Sequence, residues 1–206
     1  MRRRNYHGGT EARRGASTLG RASVFPCLRG FIYFLVACAS GCQTARVNEP
    51  LTQKLGASDP DTQIEFWHEL AARPVTSNDE AFHGLLLYLD GDDPNADYAA
   101  RVNAMRSRGL LARGFDRPAD EAVTRGTLAV AIARALQIRG GVMMHLTGSH
   151  QRYATRELEY LSLYPTSSPG QTFSGSEFLG IMGRVEDWQR GNPADAPAAV
   201  LPAEMK

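Results

Sequence analysis

Thr76-Ser77-Asn78-Asp79-Glu80-Ala81-Phe82 is a helix start written out in full. A serine at the N-cap accepts a hydrogen bond from the backbone N–H three residues on. A glutamate at that third position reaches back to the serine N–H. The apolar run Ala81 to Leu89 follows and stops at Asp90-Gly91, so the spacing predicts a capped helix. The same pattern recurs twice. Val123-Thr124-Arg125-Gly126-Thr127-Leu128-Ala129 and Phe173-Ser174-Gly175-Ser176-Glu177-Phe178-Leu179 lie over it residue by residue. Each has a hydroxyl N-cap, a polar residue three positions later, and then apolar or small residues. The caps stand 47 and 50 residues apart, a spacing that reads as an internal repeat.

Working outward, a helix carrying an aromatic precedes each cap: Trp67, Tyr98 and Tyr153. Ser58-Asp59-Pro60 sets a cap and an N-terminal proline ahead of Ile64, Trp67 and Leu70. Tyr98, Val102 and Met105 mark the next helix, which stops near Gly109. Tyr153, Leu158 and Leu161 mark the third, halted by Pro165. The segment Leu128 to Leu136 is apolar almost all round and reads as central. Two-residue alternation is confined to a short extended piece at Val142–Leu146. The expected fold is mainly α, with little or no sheet. Its single domain over residues 58–190 contains three helical-hairpin repeats, at about 58–91, 92–140 and 150–190. Residues 42–57, polar with Pro50 and Gly56, read as a flexible tether, and residues 191–206 as a disordered tail.

The stretch Tyr98 to Leu136 resembles the S-layer homology module. An aromatic-led helix is followed by Gly109-Leu110-Leu111, then Gly114-Phe115-Asp116-Arg117-Pro118, then Val123-Thr124-Arg125 opening a second helix. The resemblance implies three modules in a pseudo-threefold bundle, with grooves between prongs that bind cell-wall polysaccharide. It makes Arg125 and Thr124 the expected ligand-binding residues, with Tyr153 beside them. Thr127 stands where the motif has glutamate, and Asn78 and Gly175 stand where the other two copies would have arginine. Read from the residues alone, Arg125 has a second role open to it: orienting the preceding loop by pairing with Asp120 or Glu121.

The N-terminus reads as an address. Arg29 precedes Phe31-Ile32-Tyr33-Phe34-Leu35-Val36-Ala37, which runs into Cys38-Ala39-Ser40-Gly41-Cys42. A basic stretch, a short apolar core and small residues describe a secretory signal. The apolar run is far short of the roughly 20 residues that cross a bilayer as a helix. Small residues ending on cysteine resemble the lipobox of bacterial lipoproteins, in which the cysteine thiol receives a diacylglyceryl group. Leu35-Val36-Ala37-Cys38 has the better leucine. Cys42 allows a longer apolar core, and cleavage there leaves a mature chain with no free thiol. Cys42 is the expected lipidation site and Cys38 the alternative, with residues 1–41 as signal and basic extension. Two or more acyl chains give stable anchoring where one does not. Gln43 after Cys42, in place of an aspartate, points to the outer membrane or periplasmic face within lipoprotein sorting.

Composition narrows the rest. The 206 residues are 43% apolar and 22% charged, which excludes a multi-span membrane protein and a wholly disordered chain. The formal charge of +1 averages two unlike regions. Residues 1–41 carry seven arginines against one glutamate, and the remainder carries 16 basic against 21 acidic residues. A mature chain at −5 disfavours nucleic acid. Asp90-Gly91-Asp92-Asp93-Pro94-Asn95-Ala96-Asp97 concentrates acids without an EF-hand's ligand spacing, and reads as a helix end whose acids cap the next helix. His145 and His150 lack a dense ligand spacing for zinc. Ser149 beside His150 lacks a nucleophile elbow. Tyr153, Tyr160, Tyr164 and Phe173 suit either a sugar-stacking groove or core. The sequence therefore leads to a non-catalytic envelope protein without cofactor or metal, binding the membrane through its lipid and either envelope glycan or other envelope proteins.

Overall fold

The computed structural model describes residues 44–57, 59–147 and 150–192. The expected signal segment, Cys38, Cys42 and most of the expected tail lie outside the described residues. Among those described, the chain is a mainly α-helical bundle with isolated β-bridges and no sheet. Its helices are α1 (Thr52–Leu55), α2 (Pro60–Ala71), α3 (Asn78–Asp90), α4 (Tyr98–Ser107), α5 (Arg125–Ala135), α6 (Val142–Thr147), α7 (Gln151–Tyr160) and α8 (Gly175–Gly191).

Local chemistry fixes most of these boundaries. Ser77 and Ser174 each close a full capping box, with Glu80 and Glu177 returning the bond. Thr124 caps α5 through the Thr127 N–H, while Asp59 and Asp97 cap α2 and α4. Helix α3 ends at Gly91, whose φ of 75° is left-handed and suits glycine. The run Val142–Leu146, expected as extended, is helical. Only Val142 in it is β-branched, and unbranched Met143 and Met144 lose little rotamer freedom in a helix.

The three capped starts hydrogen-bond to one another in a closed relay. The first helical N–H of α3, at Asn78, donates to Glu121 O at 2.8 Å. That of α5, at Arg125, donates to Gln171 O at 2.7 Å, and that of α8, at Gly175, donates to Arg73 O at 2.9 Å. Each acceptor lies just ahead of the next cap, and the last returns to the first. Inside the relay, Val123 N donates to Thr76 O and Thr76 N to Phe173 O, both at 3.0 Å. First-turn N–H groups have no partner within their own helix, so each start completes its neighbour.

Helix packing follows the same cycle and corrects the expected hairpins. The close pairs are α4 on α3, α7 on α5 and α2 on α8. Each aromatic-led helix thus packs on a capped helix other than the one that follows it. Tyr98 of α4 stacks on Phe82 of α3 (6.0 Å, 7°), and Trp67 of α2 on Phe178 of α8 (6.4 Å, 14°). The close pairs differ from the expected hairpins by one helix, and one of them joins α2 to α8. The reason lies in the relay: the extended residues before each cap cross to a neighbouring start and carry the chain away from the helix just finished. Leu128 to Ala133 of α5 are all buried, as a central helix requires.

Within the expected tether, residues 45–52 are tied to the helices and the loops between them. Ala122 N donates to Ala45 O and Val47 N to Asp120 O, both at 2.8 Å. Leu51 N donates to Glu80 Oε1 at 3.0 Å, Arg73 reaches Glu49 O, and the Thr52 hydroxyl donates to the Asp79 carboxylate. Val47 and Leu51 are buried. Two apolar side chains four residues apart, missed amid polar neighbours, hold the segment down.

One glycine tests the relay. A Cβ at Gly175 would stand 1.6 Å from the backbone oxygen of Leu70, whereas one at Gly183 on the same helix meets nothing within 4 Å. Gly175→Ala is expected to lower the unfolding free energy by about 3 kcal/mol or to prevent folding. Gly183→Ala should leave stability unchanged or raise it by up to about 1 kcal/mol. Urea denaturation of both variants checks the contrast.

Candidate functional site

Arg125, the residue expected to touch ligand, is 6% exposed and held by protein. Its Nη2 donates to Glu177 Oε1 at 2.7 Å and its Nε to Thr172 O at 3.3 Å, with the guanidinium 4.8 Å above the Phe173 ring. The pairing with Asp120 or Glu121 weighed from the sequence is not made. Asp120 pairs with Arg46 at 3.1 Å and Glu121 with Arg117 at 2.7 Å. Arg125 instead locks the second capped start to the capping box of the third. The Glu177 carboxyl is lowered from its ordinary pKa by the Ser174 backbone N–H; a smaller burial effect opposes this, and Arg125 adds to the lowering. Thr124 is spent on its cap, and its hydroxyl lies 2.9 Å from that of Thr127. Tyr153 is half-buried against the core, its ring edge-on to His150. Tyr164 and Phe173 pack edge to face in the core, while Tyr160 is 82% exposed, so the four aromatics line no common groove.

What the sequence did not single out is a buried polar network where α3 meets α4. Arg101 donates through Nε to Asp93 Oδ2 at 2.5 Å and through Nη1 to Asp79 Oδ1 at 2.8 Å. His83 Nδ1 lies 2.5 Å from the same Asp93 oxygen, and Asn95 bonds the other. Burial alone would raise the Asp93 carboxyl. Hydrogen bonds from His83, Arg101 and Asn95 and the charge of Arg101 outweigh it and hold the pKa well below the carboxylate range. Its traces in the sequence are Asp79 and His83 at i, i+4 on one helix face and Asp93 within the acidic stretch. The rest of the acidic loop is accounted for by the same logic: Asp97 caps α4 and Asp90 pairs with Arg108 at 2.6 Å.

An open site lies elsewhere. A cleft of about 300 Å³ separates the loop Leu111–Phe115 from the start of α7, with Thr127, Val130 and Arg134 of α5 as one wall and His150 and Gln151 opposite. A second cleft of about 610 Å³ continues from His150 and Gln151 to Arg156, Glu159 and Ser168. Gln151 Nε2 is 3.4 Å from Thr127 Oγ1, and a Cβ at Gly126 would be 2.8 Å from that of Gln151, so glycine lets α7 approach. The first cleft joins an apolar floor (Phe115, Val130, Leu111) to an amide, a hydroxyl, an imidazole and a guanidinium. Such a surface suits a polyhydroxylated ring with one apolar face. His150 caps α7 through Nδ1, and Ser149 lies outside the described residues, as does the His145 side chain.

The Asp93 geometry sets a pH dependence. A carboxyl whose pKa is depressed on folding contributes its full stability above the unfolded value of about 4 and loses it as pH falls toward the folded value. Chemical denaturation across pH 7 to 2.5 should show unfolding free energy falling below about pH 4. Asp93→Asn should flatten part of that slope and cost about 3 kcal/mol at pH 7, since Arg101 and Asp79 remain buried.

Comparison with family models, with curated proteins and with solved structures returns no match to this chain.

Proposed function

We propose that the chain is a lipid-anchored protein of the bacterial cell envelope, at the outer membrane or its periplasmic face. Its helical domain is a non-catalytic binding module of three S-layer-homology-like repeats about a pseudo-threefold axis. The closed hydrogen-bond relay among the starts of α3, α5 and α8 supports this reading, because the first helical N–H of each start donates to a backbone oxygen three or four residues ahead of the next cap. The matching cycle of helix pairs supports it. Cys42, with Cys38 as the alternative, is the point of acylation in this reading.

The ligand is envelope glycan, held in the cleft between the second and third repeats. The working residues move accordingly, from Arg125, Thr124 and Tyr153 to Arg134, Gln151 and His150 beside Phe115. Arg125 becomes a positioning residue that sets α5 against α8. No nucleic acid is involved.

Sedimentation with purified cell-wall sacculi tests the assignment. Arg134→Ala and Gln151→Ala should each weaken co-sedimentation about tenfold, the loss of one hydrogen bond to a polar ligand. Arg125→Ala should instead cost about 2 kcal/mol of stability through the lost pair and the exposed Phe173 face. If wild type does not sediment with sacculi, the glycan assignment fails and a protein occupant of the cleft takes its place.

A further inference from the structure

We infer that residues 44–52 are a strap that seats the helical domain directly on a lipid surface once Cys42 is acylated, an inference that rests on the lipid-anchor reading above. The strap is held along its length. Ala45 O receives the Ala122 N–H and Val47 N donates to Asp120 O, both at 2.8 Å, and Arg46 pairs with Asp120 at 3.1 Å. Further along, Leu51 N donates to Glu80 Oε1 and the Thr52 hydroxyl to Asp79, with Val47 and Leu51 buried beneath.

Only Gln43 stands between Cys42 and Thr44. A chain spans at most about 3.6 Å per residue, so the Cα atoms of Cys42 and Thr44 lie within about 7 Å whatever path the link takes. Arg46 lies within about 14 Å by the same bound. A free coil over the expected tether would have a root-mean-square reach of about 20 Å. Docking therefore replaces a swinging leash by a short link, and the bilayer becomes the neighbour of the surface around Thr44, Arg46 and Asp120. That surface pairs Arg46 with Asp120 and Arg117 with Glu121. Charges so balanced attract no particular headgroup, which makes the seat a consequence of covalent length and independent of lipid charge.

The test uses the full acylated chain, purified and reconstituted into phosphatidylethanolamine–phosphatidylglycerol vesicles carrying a headgroup energy-transfer acceptor. A short-range fluorescent donor is placed on Asp120→Cys, or on Arg117→Cys in case loss of the Arg46 pair loosens the strap. Each is compared with the same chain carrying twenty Gly/Ser residues between Gln43 and Thr44. Transfer should be high with native spacing and fall at least twofold with the insertion, at 0.1 M and 0.5 M salt alike. Equal transfer in both chains, with mass spectrometry showing acyl groups on Cys42, overturns the seat and leaves the anchor standing. Acylation at Cys38, six residues before Thr44, also overturns the seat, because the link then reaches about 21 Å. Acylation at neither cysteine removes the anchor reading itself.

Discussion

Three helix N-termini meet in this fold, and a helix N-terminus brings N–H groups that its own turns cannot satisfy. Buried without partners, each such group would cost about 1–3 kcal/mol. A serine or threonine cap meets one of them. The first N–H of each helix still needs an acceptor from outside, and the relay supplies it: Glu121, Gln171 and Arg73 each offer a backbone oxygen from the segment before the next cap. None of the three starts is complete without another. That mutual dependence explains why α4, α7 and α2 settle on capped helices other than the ones that follow them. The segment ahead of each cap cannot both serve a neighbouring start and fold back along its own helix.

Much of this was legible because capping is local. Ser77 and Ser174 with glutamate three residues on, Thr124 before an apolar run, Asp59 before Pro60 and Gly91 after Leu89 each fix a boundary through contacts within four residues. The partner of each helix was not legible, since a cap says where a helix starts and nothing about what lies against its side. The docking of Val47 and Leu51 was hidden for a related reason. Two apolar residues in a polar stretch carry no periodicity, and their acceptors, Asp120 and Glu80, are 73 and 29 residues away. The candidate site was legible only in its neighbourhood. Arg125 and Thr124 are consumed in building the junction of α5 with α8, and the cleft beside them is lined from the far end of α5 and the start of α7.

The three junctions differ at the first and third helical positions. Between the starts of α5 and α8 Arg125 meets Glu177 at 2.7 Å. Between the starts of α3 and α5, Asn78 donates through Nδ2 to Pro118 O at 2.9 Å, while Thr127 pairs with the Thr124 hydroxyl and receives Gln151 Nε2 at 3.4 Å. Between the starts of α8 and α3, Gly175 lies so close to Leu70 O that no side chain fits, and the arginine nearest Glu80 is Arg73 at 4.0 Å. The first helical residue differs at each of the three starts, and with it the way the neighbouring start is met.

Glu80 is where that last case leads. It is fully buried, and after bonding the Ser77 N–H it has a second oxygen to satisfy. Arg73 approaches only to 4.0 Å. The Leu51 N–H fills the place at 3.0 Å, and beside it the Thr52 hydroxyl reaches Asp79, whose other oxygen is held by Arg101. The Leu51 N–H thus ties the N-terminal segment to the start of α3. The segment's acceptors are groups that would otherwise be buried and short of a donor, which costs far more than an exposed ion pair returns. Its attachment is in this sense part of the core, and detaching it would expose the Asp79–Arg101–Asp93 network as well as Val47 and Leu51. The position of the chain at Thr44 follows from the balance of donors at the centre of the bundle.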